Sequence, residues 1–269
     1  MTLYTQAESN IRKTWFYLTF FLVLFIGIGW AVSYLLQDSA ILYGVIIFSF
    51  LMNFFSYWYS DKIVLAISGA RLVEEKDNKE LYRLVENLCI TAGLPVPKIY
   101  IIEESQPNAF ATGRNANHAV IPVTRGLLEK LERSELEGVI AHEHSHIGNK
   151  DMLLQTIIVV LVGVIVMISD FLLRAIISSG RRREGGAIIA LIYLFLIVLA
   201  PILAQLIKFA ISRKREFLAD ASGALLTRYP EGLAKALEKI SADPNPLRIA
   251  NNATSHLFIA NPLRGKSSF

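Results

Sequence analysis

The chain has 269 residues, 53% of them hydrophobic and 19% charged, with a mean hydropathy of +0.44. This balance excludes a disordered chain and a collagen-like repeat, and the single cysteine, Cys89, excludes a disulfide scaffold. A net charge of +4 in so apolar a chain places basic residues beside a membrane rather than on nucleic acid, for which no module is present.

Four stretches lack ionisable side chains over membrane-spanning length: residues 14–37, 41–60, 152–169 and 185–207. A helix needs about 20 apolar residues to cross the hydrocarbon core. The first run is too long for a signal-peptide core and a second follows at once, so it reads as a retained anchor. The short linker at 38–40 makes residues 1–60 a helical hairpin. Asp170 and Arg174, four apart, extend the third span as a pair, and Pro201 kinks the fourth.

The remaining blocks, 61–151 and 208–269, are read as two halves of one catalytic domain, interrupted by a second hairpin at 152–207. Arg12, Lys13, Lys62, Lys150, Lys208, Arg213, Lys214 and Arg215 flank the spans on the side of these blocks. Arg174 and Arg181–Arg183 lie opposite. The larger group places the domain on the cytoplasmic face of the cell membrane.

Within the first block, periodic leucines predict a helix over 72–94, closed by Gly93 and Pro95. Residues 98–102 form a β-rich run, and 108–112 and 118–123 read as strands joined by a turn. A short helix covers 125–131. Ser134 and Glu137 form a capping box, so a helix begins near Glu135 and runs through His146. Beyond the fourth span a helix continues over 208–227, and Pro230 opens another.

His142-Glu143-His144-Ser145-His146 carries the spacing HExxH. Residues four apart share a helix face, about 6 Å apart along the axis, so His142 and His146 can meet one metal ion. Glu143 lies beside that ion, where it can hold an acidified water and take its proton. The bland alternative is a solvated polar helix face. A third ligand should rise on the same side of the membrane. Glu216 lies at a matching height above the fourth span, but it equally suits a surface glutamate paired with Lys208, Arg213 or Arg215. Asp220, one turn further, can bind the outer nitrogen of a ligating histidine.

HExxH, followed after a membrane hairpin by SRKREFLADASGA at 212–224, resembles the HtpX-type membrane zinc metalloproteases, relatives of the CAAX prenyl endopeptidases. PNAFATG at 107–113 and ATSHLFIANPL at 253–263 are similar to further elements of that family. The resemblance implies a mostly α membrane protein with four transmembrane helices and an α+β zincin-like domain. It implies one Zn2+ held by His142, His146 and Glu216, Glu143 as general base and Asp220 in support. Asn108, Ala109, Phe110, Ala111 and Thr112 would line the cleft and pair with an extended polypeptide. Misfolded or damaged membrane proteins would be the substrates.

Two departures stand out. His144 replaces a usual apolar residue and lies about 200° around the helix from His142, off the metal face. The chain also stops at Ser268-Phe269, before a His-Pro segment that family members carry. This reads as a truncated C-terminus and leaves His256 as a candidate for stabilising the oxyanion. His118, at the start of a strand, is read as structural or exposed.

Two rivals remain. An intramembrane protease would carry the motif inside a span, against the charges of Glu132, Arg133, Glu135 and Glu137. A non-enzymatic scaffold or chaperone would use bound metal only for folding.

Overall fold

The structure, a computed structural model, describes residues 3–178, 212–245 and 257–260. The fourth expected span and the loop before it lie outside the described residues, as does His256.

Helix α1 (Leu3–Leu36) is 34 residues long. At 1.5 Å per residue that is about 51 Å, well beyond a hydrocarbon core of about 30 Å. The excess is the polar N-terminal part, whose buried Asn10 donates from Nδ2 to the carbonyl of Asn149, 3.1 Å away. Asp38 then caps α2 (Ser39–Trp58) by accepting the Ala40 N–H, which closes the expected hairpin. Helix α3 (Ser60–Ile67) follows directly and has no counterpart in the sequence reading.

Helix α7 (Met152–Ser178) continues past Ser169 through Asp170 and Arg174, as their spacing predicts. Three described helices are long and apolar enough to cross a membrane, within α1, α2 and α7. Phe21 and Phe25 of α1, Met52 of α2, and Ile157, Leu161 and Ile165 of α7 bury one another. Trp15, Phe16, Trp30, Phe50, Phe54 and Trp58 face outward, as lipid-facing side chains do.

The domain beside the membrane is built on a small sheet. Strand β1 (Arg71–Leu72) runs antiparallel to β2 (Lys98–Ile102), and β2 runs parallel to β3 (Val120–Thr124). The 108–112 segment lies antiparallel along the free side of β3, through bridges from Ala109 to Val123 and from Thr112 to Val120. Ile99, Ile121 and Val123 point to one face and pack on Leu84 and Leu88 of α4 (Lys79–Ala92) and Val139 and Ile140 of α6 (Arg133–Gly148).

Three boundaries differ from the sequence reading. Helix α4 begins at Lys79, because Asn78 accepts the Leu81 N–H and caps it; Leu72 belongs to β1. Strand β3 begins at Val120, because Asn115 accepts the His118 N–H and folds Ala116–His118 into a 3₁₀ turn. Helix α6 begins two residues early, with the Glu135 carboxylate, not Glu137, reaching back to the N–H of Glu132. Between α5 (Arg125–Lys130) and α6 only two residues remain, so the cap must fall there.

Helices α8 (Arg213–Thr227) and α9 (Pro230–Ala242) pack against α6. Ser212 is extended, so α8 starts afresh at Arg213. Glycines let the backbones meet. A Cβ on Gly138 of α6 would stand 2.6 Å from the Leu233 nitrogen, and one on Gly223 of α8 would stand 3.1 Å from the His142 nitrogen. Lys239 of α9 reaches the buried Glu135 at 2.7 Å.

Candidate metal centre

Twelve residues of α6 are buried, including the whole stretch His142–His146, so the motif lies inside the domain. One face of α6 carries His142 and His146, whose Nε2 atoms stand 3.3 Å apart. Glu216, in the first turn of α8, brings Oε2 to 3.6 Å from His142 Nε2 and 3.9 Å from His146 Nε2. Among the described residues these three form the cluster able to hold a metal ion.

Each imidazole is held from behind. Asp220 Oδ1 lies 2.9 Å from His142 Nδ1. Both carboxylate oxygens of Asp151 lie 3.1 Å from His146 Nδ1. With a metal bound, these carboxylates favour the proton on Nδ1 and leave each Nε2 lone pair free to ligate; without one, a proton between Nε2 and Glu216 takes the cation's place. Three converging lone pairs repel one another unless a cation sits among them. The 3.3 Å separation is also what two nitrogens about 2.0–2.1 Å from one zinc ion take up at a tetrahedral angle. The donor set therefore fits a divalent cation of the zinc class.

The electrostatics agree. Burial disfavours a charged His142 ring, but Asp220 and Glu216 outweigh it and raise its pKa to about 10. His146 is likewise raised, against the penalty of burial, by Asp151. The Glu216 carboxyl is lowered, since the two imidazoles and Arg215 offset its desolvation. The pocket thus attracts a cation, whether proton or metal.

Glu143 is buried, and burial raises its pKa despite both histidines and a backbone hydrogen bond from Ala111. A carboxylate of raised proton affinity suits a base. His144 is fully buried away from the cluster, and neither ring nitrogen bonds a described residue. Burial lowers its pKa, which keeps it neutral. His118 is exposed in its turn, between Arg114 and Asn115.

The 108–112 segment is buried throughout. Its outer side is already in use at one end. The Ala109 carbonyl accepts the Ile259 N–H at 3.1 Å, and the Asn108 side chain exchanges hydrogen bonds with the backbone of Ala260. Phe258 packs edge-on against Phe110. Asp151 went unnoticed in the sequence. Its signal was an acidic residue just past the Gly148-Asn149 helix end, where the left-handed Lys150 (φ 55°) turns it back toward His146. Buried Arg215 stands behind it, 3.9 Å from Asp151 Oδ2.

Comparison with known proteins agrees with this geometry. The family model described as Peptidase family M48 matches residues 75–263. A "Protease HtpX homolog" of Dictyoglomus thermophilum is 47% identical over 99% of this chain and 89% of its own length. One from Thermococcus sibiricus is 49% identical over 90% of this chain and 84% of its own. The crystal structure of S. mikatae Ste24p superposes with a TM-score of 0.51 at 22% identity, covering 82% of this chain and 55% of that one. That likeness speaks for the fold, and the present chain spans about half of that protein. With a buried His/His/Glu cluster beside three apolar helices, the chain belongs to peptidase family M48, as a membrane metalloprotease of the HtpX type.

Proposed function

We propose that the protein is a zinc-dependent endopeptidase of the cell membrane, its catalytic domain on the cytoplasmic face. His142, His146 and Glu216 hold the zinc and Glu143 is the general base. The observation that carries this reading is the meeting of the two Nε2 atoms with the Glu216 carboxylate, one residue from a buried glutamate. Zinc bound there supplies Lewis acidity, acidifying water toward neutral pH and polarising the scissile carbonyl.

The chain's own residues do the rest. Glu143, desolvated and held toward the 108–112 segment by the Ala111 amide, takes the proton of the attacking water and returns it to the leaving amine. The segment orients an extended polypeptide by backbone hydrogen bonds, and the guest takes over the positions now used by Ile259 and Ala260. Asp151 and Asp220 keep both rings in the ligating tautomer.

Only three residues separate the end of α6 from the start of α7, so the site sits about 10–15 Å above the hydrocarbon. Polypeptides emerging from the bilayer reach it first. Misfolded or damaged membrane proteins are therefore the proposed substrates. A metal-stabilised scaffold would favour a closed site of four protein ligands. Among the described residues there are three, the number of protein ligands that a catalytic zinc site uses beside its water.

Metal analysis paired with casein cleavage tests the reading on the full chain in detergent. Glu143→Gln should keep one metal per chain and lose about 10²–10⁴-fold in hydrolysis. Undiminished proteolysis would remove Glu143 from its role, and wild-type chain with metal but no hydrolysis would favour the scaffold.

A further inference from the structure

A second cavity, of about 400 Å3, lies away from the metal centre, between the end of α2, the start of α3 and the turn after the 108–112 segment. Phe54, Trp58, Tyr59, Asp61, Lys62, Arg114 and His118 line it. Its size falls in the roughly 300–1,000 Å3 range of small-ligand sites.

The cavity is built around Arg114. Its guanidinium lies over the Trp58 ring, 4.5 Å from the centroid. Arg114 Nη2 donates to His118 Nε2 at 2.6 Å. With Nε2 accepting, the His118 proton resides on Nδ1, where Asn115 Oδ1 accepts it at 2.8 Å. His118 thereby serves to aim the arginine. Gly113 (φ 139°) makes the turn possible, since a Cβ there would meet the His118 carbonyl oxygen at 2.4 Å. Lys62 stands over the Tyr59 ring, 5.0 Å from its centroid.

Among the described residues no carboxylate comes within ion-pair distance of Arg114 or Lys62. Asp61 is the single acidic group in the lining. Arg114 and Lys62 set against Asp61 leave a net charge of +1 on these three side chains. Stacking on the ring leaves the guanidinium N–H groups that His118 does not engage pointing outward, and these match phosphate oxygens. The walls Trp58 and Tyr59 end an apolar span, where such rings sit at headgroup level.

We propose that this cavity binds the phosphodiester of an anionic glycerophospholipid from the leaflet on the side of the catalytic domain. Arg114 and Lys62 contact the phosphate, and one negative charge neutralises the lining. The ordered turn carries straight into Thr112, so an occupied cavity steadies the end of the 108–112 segment. The site does not depend on the protease reading.

The test uses the full chain in a neutral maltoside detergent, titrated with short-chain phosphatidylglycerol, phosphatidylcholine or sn-glycerol 3-phosphate while the thermal midpoint is followed. Phosphatidylglycerol should raise the midpoint at concentrations about tenfold lower than phosphatidylcholine. Lys62→Gln and Arg114→Gln should each weaken that response about tenfold, the effect of one lost charged hydrogen bond. Lys62 is exposed and touches only a ring, so its variant decides if Arg114→Gln folds poorly. Equal potency of phosphatidylcholine, or an unaltered response in Lys62→Gln, overturns the proposal. Equal potency of sn-glycerol 3-phosphate assigns the cavity to a soluble phosphate and removes the lipid.

Discussion

The two imidazoles of the metal centre are supported by different parts of the molecule. His146 leans on the corner between α6 and α7, where the Asp151 side chain is wholly buried, with Arg215 behind it. His142 leans on α8, where Asp220 and Glu216 each remain 44% exposed. The corner is therefore a fixed wall, continuous in sequence with the catalytic helix. The α8 face is a wetter surface, brought in from beyond the next stretch of chain. Water can stand in for a lost carboxylate on the second support but not on the first.

That difference orders the expected losses. Asp151→Ala should be the most damaging, costing at the upper end of about 10–100-fold in metal affinity. It also leaves Arg215 facing a buried vacancy, so the thermal midpoint should fall with it. Asp220→Ala should cost about 10-fold in metal affinity with little change in midpoint, because Asp220 is itself 44% exposed and water can enter the space it leaves. Metal titration and melting of both variants check the ranking; equal losses would erase the contrast between wall and surface.

Packing offers a subtler probe. Gly138→Ala should cost about 1–3 kcal/mol by driving α9 off α6, read by denaturant unfolding. Gly223→Ala meets the α6 backbone at a milder 3.1 Å and should act mainly through the α8 ligand, lowering metal affinity more than stability.

The smallest effect concerns acid. Desolvation alone would raise the Glu135 carboxyl, but Lys239 and the Glu132 amide hold it below its usual value. A lowered folded pKa gives stability that is full above about pH 4.3 and is lost as pH falls through that folded value. Glu135→Gln should flatten this acid limb while leaving the neutral-pH metal content unchanged.

The α8 face was legible in the sequence because its signals are local and periodic. Glu216 and Asp220 share a helical face, and HExxH declares its own geometry. The corner was not, because Asp151 reaches His146 through one left-handed residue, Lys150, that no periodicity announces. The cap of α6 was misplaced by two residues for a related reason. Ser134 and Glu137 satisfy the pattern, yet α5 ends so close that Glu132 and Glu135 take the role. Helix α3 starts where the second apolar run ends and is too short to show a period of its own. The occupation of the 108–112 segment by Ile259 and Ala260 joins residues some 150 positions apart, a pairing that a linear reading does not contain.

Thr112 and Thr156 share a hydrogen bond of 2.7 Å between their hydroxyls. Thr156 belongs to the long apolar helix that also continues from the catalytic helix, so both jaws of the groove are riveted to a single mast. If that mast leans as the bilayer thins or thickens, the jaws travel together and their gape is preserved.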